Sequence, residues 1–263
     1  MDDVLMSAFV DDFDADRLDP AVWVPHYLPA WSSRAATRAS YELGGSFLRL
    51  FIPPHQGLWC GDDHRPPIRV SGVQSGNWSG PVGSASGQQP FRDGLLVREE
   101  QPTVWGWTPS GGQLEMRARM VLTPRSMAAW WLAGLEDVPE RCAEICVVEV
   151  FGDALEPGRS AELGMGVKPF RDPRARADFA APRLPVDVAE FHTYGVDWTR
   201  DRAQFTVDGQ VVRVVEAPPC YPMQSMLAVF DFPERSVGGD EEAVPELVVD
   251  WVRGEIEQQA RRL

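Results

Sequence analysis

The sequence predicts an all-β fold, an antiparallel β-sandwich. Three observations carry that expectation. Short runs rich in Val, Ile, Phe, Tyr and Trp recur along the 263 residues, bounded by Gly, Pro, Asp and Ser. Turn signals between the runs come at close spacing, Asp208-Gly209 being the clearest two-residue hairpin turn. No long stretch shows the 3.6-residue apolar period of a helix, apart from residues 255–263 at the end. Many short strands joined by close turns make a sandwich rather than a parallel α/β sheet.

Taken in order, residues 9–14 begin a strand that leads to a Pro20-marked turn before Trp23. Residues 41–50 read as a hairpin turning at Gly44-Gly45. From Pro53 to Gly94 the chain is rich in Gly, Pro and Ser, with Trp59, Trp78 and Phe91 as aromatic anchors. So long a weakly patterned stretch is a functional loop or an insertion, with disorder as the alternative. Strands follow at 95–98 and 113–120. In the second, Glu115, Arg117 and Arg119 occupy one face and Leu114, Met116 and Ala118 the other. Residues 127–135 are apolar and carry Trp130 and Trp131; 143–152 form a further strand closed by Gly152. Residues 163–167 come next, then an Arg/Asp/Pro-rich loop to Pro185. A hairpin of 191–198 with 203–207, then 210–215, 226–230 and 246–252, complete the set. No repeat or linker interrupts residues 1–263, which read as one domain.

The charge balance narrows the partners. A formal net charge of -14 and a pI near 4.7 argue against nucleic acid and disfavour an anionic membrane surface, which need clustered Lys and Arg. A neutral substrate fits better. No segment approaches the roughly 20 apolar residues of a membrane-spanning helix. The start, Met1-Asp2-Asp3-Val4, has neither basic nor apolar leader regions. As numbered, the expectation is a cytoplasmic protein, or a secreted one whose leader has been removed. Cys60, Cys142, Cys146 and Cys220 have no metal-ligand spacing, and no metal is expected from them. Cys142 and Cys146 lie ~13 Å apart on a strand, too far for a disulfide.

The strand 143–152 holds the chemistry. Ile145, Val147, Val148, Val150 and Phe151 make it a buried run, yet it includes Glu144 and Glu149. Burying a carboxylate without a partner costs several kcal/mol. Either the two acids are ion-paired or at a rim, or they are a catalytic pair of the kind that cleaves glycosidic bonds. Ten Trp and twelve Phe are core formers first. Trp105, Trp107, Trp130 and Trp131 nevertheless fall in the segment leading to Glu144, where indole faces could stack on sugar rings. Of Trp130 and Trp131, alternation lets only one reach a cleft.

Several segments resemble glycoside hydrolase family 16, the β-glucanase and laminarinase family. They are the entry from Phe9 to Trp23, the run Gly112-Gln113-Leu114-Glu115-Met116-Arg117, and the hairpin Phe191-His192-Thr193-Tyr194-Gly195-Val196-Asp197-Trp198 with Val207-Asp208-Gly209. The resemblance implies a jelly-roll sandwich of the concanavalin A-like type. The family signature is Glu-x-Asp-x-Glu or Glu-x-Asp-x-x-Glu, and Glu144-Ile145-Cys146-Val147-Val148-Glu149 resembles the longer form with Cys for the middle Asp. It implies Glu144 as nucleophile and Glu149 as general acid/base of a retaining, endo-acting hydrolase or transglycosylase on a β-linked polysaccharide. Glu115 and Arg117 match positions expected beside the nucleophile, with a surface ion pair as the alternative. Trp130, Trp131, Trp105, Trp107 and Phe230 are the candidate sugar platforms. A structural calcium is implied by the resemblance alone, and no other cofactor; a monomer is expected.

Spacing adds a condition. Residues five apart on a regular strand face opposite sides, so a shared face for Glu144 and Glu149 requires a β-bulge between Cys146 and Glu149. Cys146 cannot stand in for the missing Asp: beside two acids its thiol is expected neutral and packed. Reduced or absent activity is the consequence, and a carbohydrate-binding protein on the same fold is the competing reading. His192 is expected to be structural, and Asp231, Glu234 and residues 240–242 solvated.

Overall fold

A computed structural model describes residues 5–240 and 242–258. The first ten strands are β1 (Leu5–Asp11), β2 (Tyr41–Leu43), β3 (Leu48–Phe51), β4 (Arg69–Gln74), β5 (Gly76–Asn77), β6 (Val104–Trp105), β7 (Gly112–Val121), β8 (Ser126–Gly134), β9 (Glu144–Phe151) and β10 (Leu155–Glu156). Then come β11 (Ser160–Glu162), β12 (Gly164–Lys168), β13 (Asp178–Ala180), β14 (Arg183–Leu184), β15 (His192–Trp198), β16 (Arg202–Val207), β17 (Gln210–Glu216), β18 (Met223–Asp231) and β19 (Glu246–Gln258). Helix among the described residues is limited to short 3-10 turns such as Pro29–Trp31.

Two antiparallel sheets make the sandwich. One has the order β17-β16-β15-β7-β19-β3-β2, with β1 also paired to β19; the other runs β13-β12-β9-β8-β18-β4. Period-two alternation builds the layer between them. Along β7, Leu114, Met116, Ala118 and Met120 are buried in the main apolar cluster, and Glu115, Arg117 and Arg119 stand on the outer face. Trp130, Leu132, Ile145, Val148, Leu227 and Val229 meet them from the second sheet. Each large side chain so buried contributes roughly 1.5–3 kcal/mol.

A second apolar cluster lies on the other face of the second sheet. Met127, Ala129, Trp131, Cys146, Ala228 and Phe230 form its floor, and long connections supply Leu28, Trp31 and Trp59 over it. Much of that cover comes from the Gly/Pro-rich stretch of residues 53–94, which is ordered around β4 and β5. The stretch is a wall, not a tail.

The expected fold class stands, and some elements differ in detail. Residues 95–98 form no strand, although Leu95 and Val97 are buried in the second cluster. Residues 255–258 continue β19 in register with β1, Glu255 also pairing with β7, instead of forming a helix. The expected helix beyond them, like residues 1–4, lies outside the described residues. Asp231 is not solvated: it is 1% exposed and its Oδ1 lies 2.7 Å from Arg125 Nε. His192 is structural as expected, 2.7 Å from Asp208 and 3.0 Å from the Asp187 carbonyl. All four cysteines are free.

Candidate active site

The bulge that the spacing required is present. Between Glu149 and Cys146, β9 takes three steps while β12 takes two, from Gly164 to Gly166. On the other side, β9 takes two steps from Val148 to Cys146 while β8 takes one, from Trp130 to Trp131. One extra residue therefore sits in β9 against both neighbours. Val147 and Val148 both enter the inter-sheet core, and Glu144, Cys146 and Glu149 all line one hollow over the second cluster.

Tyr27, Trp131 and Phe230 complete that hollow, which measures about 150 Å³. An adjoining hollow of about 210 Å³ shares Tyr27 and Glu144 and continues past Trp59, Phe91 and Glu136. Both far exceed the ~10–15 Å³ that one water needs, so the joined cleft is open space and not packed interior. Larger hollows elsewhere are lined by solvent-accessible acids, Asp197 and Glu255 in one, Asp16 and Glu42 in a second, Glu115 and Glu255 in a third. The cleft on the second sheet combines carboxyls from one buried strand with aromatic walls.

Each acid has a definite environment. Glu144 is 9% exposed. Burial first, then the nearby Glu149 and Glu136, push its carboxyl up to about 7 against the opposing pull of Lys168 and Gln89. Gln89 donates its side-chain N–H to Glu144 Oε1. Glu149 accepts from Lys168 Nζ at 2.8 Å. Cys146 is 2% exposed, and burial together with Glu149 holds its thiol well above the ordinary range. It is a neutral, packed side chain. Its Sγ lies 3.9 Å from the Gly164 carbonyl.

Glycines make room on the β12 side. A Cβ at Gly164 would come within 2.6 Å of the Phe179 ring, and one at Gly166 within 2.0 Å of the Asp178 carbonyl. Their absence lets β13 pack tightly against β12.

The candidate platforms separate. Trp131 and Phe230 lie in the cleft with Tyr27 edge-on to both, and the Trp131 Nε1–H has no protein acceptor. Trp130 does not reach it: alternation turns this ring into the inter-sheet core at 0% exposure, where Nε1 donates to Ser225 Oγ at 2.9 Å. Trp107 is also core, stacked on Phe9 at 4.4 Å. Trp105 stands 45% exposed on the small β5–β6 ribbon, outside both hollows. Glu115 and Arg117 are not beside the acids. They project from the outer face of the opposite sheet, where Glu115 pairs with Arg253 at 2.7 Å and Arg117 with Asp250.

Sequence reasoning missed Tyr27, Gln89, Glu136, Lys168 and Arg171. Four of them come from irregular segments whose positions no period reports. Lys168 had a signal, since it closes the expected strand 163–167 that neighbours the acids. Among the described residues no three His, Cys, Asp or Glu side chains group to hold a metal ion. The structural calcium therefore finds no side-chain cage there.

A jelly-roll-like sandwich bearing two glutamates on one bulged strand, in an aromatic-walled cleft, has the architecture of a carbohydrate-active protein. The family model for glycosyl hydrolases family 16 matches residues 112–252, and the chain belongs to that family. No curated protein matches the sequence significantly. Solved structures share the fold. A GlcNAcα1-4Gal releasing endo-β-galactosidase from Clostridium perfringens superposes with a TM-score of 0.77 at 22% identity; the match covers 98% of this chain and 64% of that one. The catalytic domain of an endo-1,3-β-glucanase (laminarinase) from Thermotoga petrophila gives 0.65 at 15% identity, covering 98% and 100%. The transglycosylase Crh5 gives 0.57 at 16%, covering 96% and 85%.

Proposed function

We propose that the chain is a retaining, endo-acting glycosidase or transglycosylase of neutral β-linked polysaccharides, with Glu144 as nucleophile and Glu149 as general acid/base. The observation that carries this reading is the bulge in β9, which turns both carboxyls into one aromatic-walled hollow. Glu144 attacks the anomeric carbon while Glu149 protonates the departing glycosidic oxygen. The resulting glycosyl ester on Glu144 is then displaced by water, or by a sugar hydroxyl, that Glu149 deprotonates, with net retention. Trp131 and Phe230, which line the hollow with the two acids, supply apolar ring surface for a sugar. The reading takes residues 1–263 as one catalytic domain acting as a monomer without a metal.

The resting charges oppose these roles. Glu144, which must be ionised to attack, is the buried acid that holds a proton up to about 7. Glu149, which must be an acid, faces an ammonium. No carboxylate stands at Cys146 to redistribute the protons. Turnover is accordingly slow, and this favours as a second reading a binding protein that retains the cleft.

Reducing-end release from laminarin, lichenan, agar-type galactan and a mucin-type O-glycan, with Glu144→Gln as control, tests the assignment. The galactose-containing glycans belong in the panel because the neighbour with the highest TM-score among those described is an endo-β-galactosidase. Release by wild type that E144Q loses by at least about 10³-fold supports the enzyme. Equal release by both proteins refutes the assignment, and binding without release favours the second reading.

A further inference from the structure

Gln89 spends two donors on two different buried acids. Its backbone N–H donates to Glu136 Oε1 at 2.5 Å, and its side-chain amide donates to Glu144 Oε1. Glu136 is itself 4% exposed, and its second oxygen is taken by Arg171. Gln89, Glu136 and Arg171 all line the hollow that Glu144 shares. The sequence distances of 55 and 47 residues show that three separate segments are brought together for this contact.

The backbone is held for it. Gln89 has φ 48° and Glu136 φ 60°, in the left-handed region that residues other than Gly, Asn and Asp seldom enter. Such conformations persist only where surroundings over-determine them, and they concentrate at functional sites. Here the surroundings are visible: the Gln88 carbonyl accepts from Trp31 Nε1 at 2.6 Å, and a Cβ at Gly87 would come within 2.8 Å of the Trp31 ring. The residues just before Gln89 are thus clamped to a fully buried indole.

We propose that Gln89, locked by the buried Glu136 that Arg171 pairs from the surface, is a positioning residue that holds and orients the Glu144 carboxyl. This rests on the reading of Glu144 as nucleophile. An amide N–H can only donate, so it favours the ionised carboxyl and directs one oxygen lone pair, leaving the other oxygen for the anomeric carbon. Around Glu144 the other charged or titratable groups are Lys168 from β12, Cys146 and Glu149 on its own strand, and Glu136, Cys142, Arg171, Tyr27 and His64 from the cleft wall.

Carboxyl titration by ¹³C NMR on glutamate-labelled full chain tests this without requiring turnover. Gln89→Met keeps the volume and removes the donor, so the Glu144 midpoint rises by about one pH unit. Glu136→Gln keeps an acceptor for the Gln89 N–H and removes a like charge, so the midpoint falls. The E136Q shift follows from the lost charge and calibrates the probe, and the upward shift in Q89M carries the test. An unmoved Glu144 midpoint in Q89M overturns the proposal, even where wild type cleaves glycan. A Glu144 midpoint that moves as expected in a chain without turnover supports the contact and refutes the hydrolase reading instead. Where glycan is cleaved, Q89M lowers kcat/KM about tenfold with the acid limb of its pH profile displaced upward; KM stays within about twofold.

Discussion

Lys168 Nζ lies 2.8 Å from Glu149 Oε2, although the residue opposite Lys168 in the strand ladder is Glu144. The side chain leans along β12, past Gly166, to meet the acid beyond the bulge. The one ammonium paired in this cleft is therefore committed to the carboxyl that has to give up a proton during glycoside cleavage.

Removing that cation changes the pH range of the pair. In Lys168→Met the two glutamates face each other without a counter-charge, and like charges retain a shared proton to higher pH. The basic limb of kcat/KM against pH moves upward by about one unit, and the rate at pH 8 rises. A stopped assay across pH 5 to 9 with the best glycan of the panel measures it; an unmoved basic limb contradicts the role given to Lys168.

Burial of Glu144 predicts the other limb. With the carboxyl held at about 7, the ionised nucleophile accumulates only as pH rises through that value. The acid limb of kcat/KM therefore falls near pH 7, well above the range of an ordinary carboxylate. A limb near pH 4.5 would show that Glu144 is not the titrating nucleophile.

The same burial carries a stability cost. An acid whose folded midpoint exceeds its unfolded one binds protons more tightly when folded. Stability is full below about pH 4.5 and declines as pH rises towards about 7. Glu144 and Glu136, both pushed up to about 7 chiefly by burial, contribute to this decline. Glu144→Gln cannot ionise, so it should exceed wild type at pH 8 by on the order of 3 kcal/mol and match it at pH 4.5. Urea unfolding at the two pH values checks this.

Cys146→Asp restores the signature carboxylate beside Lys168. The substitution offers the ammonium a second partner, loosens its hold on Glu149, and raises turnover several-fold. It also buries a charge at a site 2% exposed, lowering stability by ~1–3 kcal/mol. Parallel rate and melting measurements separate the effects. A rate gain shows the two glutamates already placed; no change leaves the binding reading stronger.

What the sequence disclosed depended on whether a period reported it. The sandwich was legible because β7, β8, β9 and the β15–β16 hairpin carry strong alternation and turn residues. The bulge was legible because two acids five positions apart on a strand cannot share a face otherwise. The same alternation separated Trp131 from Trp130 in principle, though not which of them faced the cleft. Glu115 and Arg117 were misplaced because motif proximity says nothing about which sheet a strand joins. They stand on the outer face of the sheet opposite the cleft. Gln89, Glu136 and Arg171 were invisible, since their meeting depends on irregular backbone around Trp31 that no pattern encodes.

The central claim is that Glu144 and Glu149 act together as a retaining pair. ¹H NMR of the first-formed product from whichever panel glycan is cleaved tests it most directly. The account predicts initial appearance of the β-anomer, with no product from Glu144→Gln. An initial α-anomer, or undiminished product from E144Q, would contradict it.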